Sequence, residues 1–126
     1  GNNFVKTMIN LSKNQSEINV VNDQIGSPTS CKDLAICILN LINTEHYGIY
    51  HGSNNGQCSW YEFAKKIFEI KHIDIKVNPI TSKDFKSEVK RPKFSVLHNF
   101  MLKLINLDNF RCWEDSLKDY LTKEYN

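Results

Sequence analysis

Val21-Asn22-Asp23-Gln24-Ile25-Gly26-Ser27-Pro28-Thr29 runs straight into Ser30-Cys31-Lys32-Asp33-Leu34-Ala35, and this stretch decides the fold. A branched apolar pair, Val20-Val21, ends in an acid and amide corner. Gly26 permits a tight bend, and Pro28 fixes the backbone just before a helix begins. The order is strand, turn, helix. Residues 18–21 supply the strand. A helix over 32–43 places Leu34, Cys37, Ile38, Leu41 and Ile42 on one apolar stripe suited to core packing. Ser30 with Asp33 three residues later has the form of a capping box with Asp in the acidic position.

Working outward, Asn3 can cap a first helix on which Phe4, Met8 and Leu11 share a face, and the polar residues 12–16 close it. Residues 47–51 read as a strand, and the Asn-Asn-Gly within 53–57 reads as a loop. Ser59 and Glu62 form a second capping box. Cys58 and Phe63 are spaced as a hydrophobic staple, so a helix should begin at Trp60 with Trp60, Phe63, Ala64, Ile67 and Phe68 as its apolar face. Ile73, Ile75 and Val77 alternate with Asp74, Lys76 and Asn78. That is the period of a half-exposed strand over 73–80, and Pro79 favours an edge position. Residues 83–88 suggest a helical turn. After the Arg91-Pro92 corner come an extended piece at 94–97, a turn at 100–104, and a last helix over 113–123 with Trp113, Leu117, Tyr120 and Leu121 inward. No linker or repeat divides the chain. The pattern is α/β, with short, mainly parallel strands covered by about four to five helices.

Composition excludes several classes of function. Sixteen basic and fourteen acidic residues leave a net charge of +2 with no block of like charge, so neither nucleic acid nor an anionic membrane is implied as a partner. No run approaches the ~18 apolar residues of a membrane span, and no signal sequence opens the chain. Four cysteines, Cys31, Cys37, Cys58 and Cys112, form no CxxC pair and have no His at zinc spacing. They read as free thiols in a reducing, cytoplasmic setting, with no metal site. The four histidines, His46, His51, His72 and His98, are dispersed and fit surface or packing roles. A hydride-transfer enzyme needs a glycine-rich turn after a strand to meet a pyrophosphate, and the glycines here are isolated.

Several motifs in order carry a resemblance that covers nearly the whole chain. They are Gly1-Asn2-Asn3-Phe4-Val5-Lys6-Thr7-Met8, then NDQIGSPT at 22–29, YGIYHGSN at 47–54, CSWYEFAKKIF at 58–68, KRPKFSVL at 90–97 and WEDSLKDYL at 113–121. Together they resemble the C-terminal, substrate-binding part of the dTDP-4-dehydrorhamnose reductases, a family of extended short-chain dehydrogenase/reductases. The resemblance implies that residues 1–126 are the sugar-nucleotide-binding portion of a longer enzyme whose dinucleotide-binding and catalytic part lies before Gly1. It implies a parent reaction in dTDP-L-rhamnose biosynthesis, the NAD(P)H-dependent reduction of the 4-keto group of a dTDP-4-keto-6-deoxy sugar. NADPH or NADH would serve that parent, with none expected for this chain alone, which should be inactive. The family also contains non-catalytic relatives that act as regulatory or interaction subunits, and that reading stays open. Three positions depart from the family pattern: Ser30 replaces a common aromatic, His98 a usual acid or amide, and Cys112 a frequent Pro.

The resemblance also sorts the candidate residues. The family donates its proton from a Tyr with a Lys four residues later. Tyr61 and Lys65 have that spacing but sit in the segment matching a later helix, so they read as a solvated helix flank, and no catalytic residue is assigned to this chain. Substrate grip remains. Arg91 is the first candidate, because a guanidinium forks onto phosphate oxygens and Pro92 stiffens the loop; its alternative is an ion pair with Glu88. Asn3 lies where relatives bring a helix start toward the ligand, and is equally a plain N-cap. Gln24, Ser27 and Thr29 fit a pocket rim, and Ser27 and Thr29 are also ordinary turn residues. In the family, the strand matching 47–51 joins the parallel sheet of the other half. This chain should therefore be stable with that half, as a rearranged piece or as a homo-oligomer.

Overall fold

In Glu17-Ile18-Asn19-Val20-Val21 the apolar side chains mostly alternate with polar ones, the pattern of a strand with one buried face. The computed structural model describes residues 1–85 and 89–124, the last by its backbone alone. There β1 (Glu17–Val21) buries Ile18, Val20 and Val21 and pairs in parallel with β4 (Lys76–Ile80), from Glu17 opposite Lys76 to Val21 opposite Ile80. On the solvent side the Asn78 amide donates to Asn19 Oδ1 at 3.2 Å and Glu17 Oε2 at 3.0 Å. Two helices, α1 (Phe4–Ser12) and α3 (Trp60–Lys71), pack on the pair. Phe4 of α1 meets Trp60 and Phe63 of α3 with ring centroids 4.7 and 5.6 Å apart. A two-residue antiparallel pairing joins β2 (Ile25–Gly26) to β3 (Cys58–Ser59).

The local signals that start these elements act as the sequence implies. Asn3 caps α1 by accepting from the Lys6 N–H at 2.9 Å. Ser59 and Glu62 close both halves of their capping box, at 3.1 and 2.7 Å. The fourth strand is shorter than the 73–80 that alternation suggests. His72 adopts a left-handed φ of 53°, and the Ile73 N–H turns back to the Phe68 carbonyl at 3.0 Å, so these residues finish the helix before the ladder begins. A helical turn forms after Thr81, whose hydroxyl donates to Asp84 at 2.7 Å. Residues 86–88, the rest of the turn expected there, lie outside the described residues.

The chain sorts into two units built from interleaved segments, Gly1–Gly26 with Cys58–Ser95, and Ser27–Gln57 with Val96–Asn126. All strands named above belong to the first. The second is helical: α2 (Cys31–Ile42), α4 (Phe100–Leu104) and α5 (Trp113–Asp119), which widens into a π-helical turn over Tyr120–Glu124. Its apolar core is Leu102, Phe110, Trp113, Leu117 and Leu121, beside buried Ser53, Asn54, Asn99 and Ser116. Backbone bonds from Asn55 to the Arg111 carbonyl and from Trp113 to the Asn55 carbonyl hold the 53–57 loop against the start of α5.

Two expectations fail in this second unit. The apolar stripe of α2 is not a core stripe: no residue of the helix is buried, Leu34, Cys37 and Leu41 are half-covered, and Ile42 is 68% exposed. Residues 47–51 form no strand, and Tyr47 and Ile49 are 91% and 89% exposed. A strand exists only where a neighbour takes up its backbone groups. Periodicity records a tendency to be covered without supplying the cover.

Candidate functional site

In the first unit the acid and amide corner after β1 is tied to the segment that carries Arg91. The Asn22 N–H bonds to the Ile80 carbonyl at 2.9 Å, and Asn22 Oδ1 accepts from the Ser59 hydroxyl at 2.8 Å. Asp23 Oδ1 accepts from both the N–H and the hydroxyl of Ser82, at 2.8 and 2.6 Å. The Ser82 hydroxyl hydrogen bond is the main reason its carboxyl titrates below the ordinary range. Gln24 donates to the same hydroxyl at 2.9 Å. Ile25 then zips onto the next segment, its N–H bonding to the Lys93 carbonyl at 2.8 Å and its carbonyl accepting from Ser95 N–H at 2.9 Å. Arg91, two residues before Lys93, is exposed and has no hydrogen-bond or ion-pair partner among the described residues. Glu88, the alternative partner, lies outside them. Gln24 and Arg91 thus belong to segments that the fold joins, while Asn3 caps α1 through its side-chain oxygen.

In the second unit the 27–29 turn is joined to the 53–57 loop. The Ser27 hydroxyl donates to the Gly56 carbonyl at 2.7 Å, and the Asn54 N–H donates to the Thr29 hydroxyl oxygen at 3.3 Å. Thr29 donates in turn to the Ser27 carbonyl at 3.1 Å. A cavity of about 350 Å³ opens here, lined by Ser27, Asn54, Gln57, Leu97, His98 and Asn99 among others. Below the loop sits a cluster that sequence reasoning missed. Asp33 receives Arg111 Nε and Nη2, each at 3.1 Å, Asn54 Nδ2 at 2.8 Å, and the Ser116 hydroxyl. Burial alone would raise this carboxyl. The hydrogen bonds from Arg111, Ser116 and Asn54, with the Arg111 charge, outweigh it and hold the pKa down at about 2. Arg111 also reaches Asp119 at 2.6 Å, and both carboxylates push its guanidinium further toward the charged form.

Sequence reasoning saw Asp33 only as half of a capping box. In the structure Ser30 accepts from Asp33 N–H, but the carboxylate does not return to the Ser30 N–H, which donates instead to Asn54 Oδ1 at 2.7 Å. The partners of Asp33 stand 21, 78 and 83 positions away, so no local pattern announces them. Tyr61 and Lys65 have the geometry of a helix flank, with the Lys65 ammonium 5.5 Å from the Tyr61 ring centre and exposed.

A dinucleotide phosphate cradle needs glycines whose missing side chains leave room for phosphate, and at Gly26, Gly52 and Gly56 protein fills that space, while Gly1 has nothing within 4 Å and Gly48 only the Tyr50 ring at 3.6 Å. A Cβ on Gly26 would meet Ser95 Oγ at 3.2 Å, on Gly52 the Phe110 ring at 3.3 Å, and on Gly56 the Trp113 ring at 2.9 Å. No group of His, Cys, Asp or Glu among the described residues could hold a metal ion, and no helix among them is long and apolar enough to cross a membrane.

Comparison with known proteins gives a consistent answer. A family model described as the RmlD substrate binding domain matches residues 1–126. The spore coat polysaccharide biosynthesis protein SpsK of Bacillus subtilis is 40% identical over 121 residues, which cover 96% of this chain and 42% of that protein. The crystal structure of a dTDP-4-dehydrorhamnose reductase from Clostridium acetobutylicum matches with a TM-score of 0.97 at 50% identity, over 100% of this chain and 45% of that one. A dTDP-4-dehydrorhamnose reductase from Bacillus anthracis, in complex with NADP, matches with a TM-score of 0.89 at 48% identity, over 96% of this chain and 42% of that one. The chain spans less than half the length of these relatives.

Proposed function

Since this chain belongs to the RmlD substrate binding domain family, we propose that it is the C-terminal, sugar-nucleotide-binding portion of an NAD(P)H-dependent, cytoplasmic reductase. That enzyme reduces the 4-keto group of a dTDP-4-keto-6-deoxy sugar in dTDP-L-rhamnose biosynthesis. The observation that carries the reading is the match of residues 1–126, end to end, to less than half of reductases up to 50% identical in sequence. Hydride and proton transfer are assigned to the remainder of the longer protein.

This chain contributes grip and orientation. Arg91 offers an exposed guanidinium, without a partner among the described residues, two positions from the Ile25 to Lys93 zipper, suited to forking onto a diphosphate. Gln24, held through Ser82 in the first unit, adds to that grip, and the 27–29 turn is a separate contribution of the second unit. The exposed face of α2 and the exposed 47–51 segment are the surface that the dinucleotide-binding half covers, which accounts for an apolar helix without a buried residue.

Calorimetric titration of dTDP and of NADPH into this chain tests the assignment. No NADPH binding and weak or no dTDP binding are expected, and tight NADPH binding would overturn it. In the longer protein, Arg91→Ala should weaken dTDP binding by about 1.5–3 kcal/mol, the scale of a hydrogen bond to a charged group. An unchanged affinity there removes Arg91 from the site.

A further inference from the structure

We propose that Asp33 is a positioning residue for the Ser27-Pro28-Thr29 turn, acting through Asn54 and the 53–57 loop; the inference rests on the sugar-nucleotide reading above. Its warrant is a short chain of bonds inside one unit. Asn54 is 1% exposed, and all its side-chain polar atoms are engaged: Nδ2 with Asp33 at 2.8 Å, the Arg111 carbonyl at 3.1 Å and Ser116 Oγ at 3.0 Å, and Oδ1 with the Ser30 N–H at 2.7 Å. A buried amide with every position taken has one orientation, and rotating it would orphan several groups at once. The same residue's N–H holds Thr29 Oγ1, and two residues on, the Gly56 carbonyl holds Ser27 Oγ. From the Asp33 carboxylate to the turn the path is therefore Asp33, Asn54, Thr29.

The path also assigns the two hydroxyls. Ser27 donates to Gly56, and Thr29 donates to the Ser27 carbonyl while accepting from Asn54, so both are committed within the protein. Their contribution to a pocket is the shape of the turn, and Asp33 is the charged anchor of that shape. Arg111 keeps the anchor in place from the other side, itself clamped by Asp119 at 2.6 Å.

The test uses the full-length protein that carries residues 1–126. Its dTDP and NADPH affinities are measured by calorimetry and its amide exchange by NMR or mass spectrometry. Asp33→Asn, which keeps the shape and removes the charge, should raise the dTDP Kd about fivefold or more and leave the NADPH Kd within about twofold. Thr29→Val should raise the dTDP Kd as well, and the double variant should be no worse than the worse single one, since both act on one turn. Ser116→Ala, a milder change at the same carboxylate, should give a smaller effect in the same direction. Exchange of the Ser30 and Asn54 amides should speed up in Asp33→Asn, while the Glu62 amide, capped by Ser59, stays protected.

An unchanged dTDP Kd, an equal loss of both ligands, or additive effects in the double variant would overturn the inference. A wild-type protein that binds no dTDP refutes the functional reading by itself. In that case the exchange of Ser30 and Asn54 still decides whether Asp33 holds the loop, and unchanged exchange sinks this inference too.

Discussion

Asp33 is the residue on which Arg111, Asn54 and Ser116 of the second unit converge. Its carboxyl titrates at about 2 when folded, below the 3.8 of a free Asp. A depressed carboxylate adds stability that is fully present above the free value and is lost as pH falls through the folded one. The contribution is about 1–2 kcal/mol once screening at the partly exposed Arg111 end is allowed for. The unfolding free energy should therefore decline between about pH 4 and pH 2, and denaturant melts of Asp33→Asn across that window should show a shallower decline. Asp33→Ala is harsher, because it removes an acceptor from the Asn54 amide and the Ser116 hydroxyl and one of the two carboxylates that hold the Arg111 guanidinium. It should cost about 2–4 kcal/mol at neutral pH, measured by urea unfolding. A loss under 0.5 kcal/mol, roughly what a surface substitution costs, would mean that the cluster is decorative.

At the scale of elements, legibility follows from how far the deciding contact lies along the chain. The helix at Trp60 was readable to the residue, since Ser59 and Glu62 form a capping box closed within one turn. Ser59→Ala should cost about 1 kcal/mol in a denaturant melt, with α3 fraying at its first turn. The first strand, expected over 18–21, runs Glu17–Val21, because its branched apolar residues supply the buried face. The fourth was overrun by three residues because alternation at Ile73 and Ile75 looks the same whether a backbone N–H goes to a strand or, as for Ile73, back to Phe68. The α2 stripe and the 47–51 segment were misread for another reason. Their sequence is suited to being covered, and among the described residues they stay largely exposed.

That shortfall shapes the whole molecule. Ile38, Leu39 and Ile42 on α2, with Tyr47 and Ile49, leave one helical unit with exposed apolar side chains drawn from two neighbouring segments. Leu39→Lys and Ile49→Lys should leave this chain's stability within about 0.5 kcal/mol, as surface substitutions do. In the longer protein the same changes should destabilise, each placing a charge in a covered apolar contact. Parallel melts of the two proteins check this, and equal insensitivity in both would show that the face is never covered. Exposure of this kind also favours self-association of the isolated chain, to be read by sedimentation equilibrium as a mass that rises with concentration.

The sequence by itself determined the α/β class, the first and third helices with their caps, the first strand and the corner after it, and the family to which the motifs belong. These rest on contacts closed within a few residues or on the period of a single buried face. Only the tertiary structure decided that Asp33 is an anchor, that the Ser27 and Thr29 hydroxyls engage a loop 29 and 25 residues away, and that the Arg91 segment is zipped to Ile25. Each of these joins residues distant along the chain. A carboxylate, a hydroxyl or a guanidinium carries in its identity the ability to bond, and only the fold selects which distant group it meets.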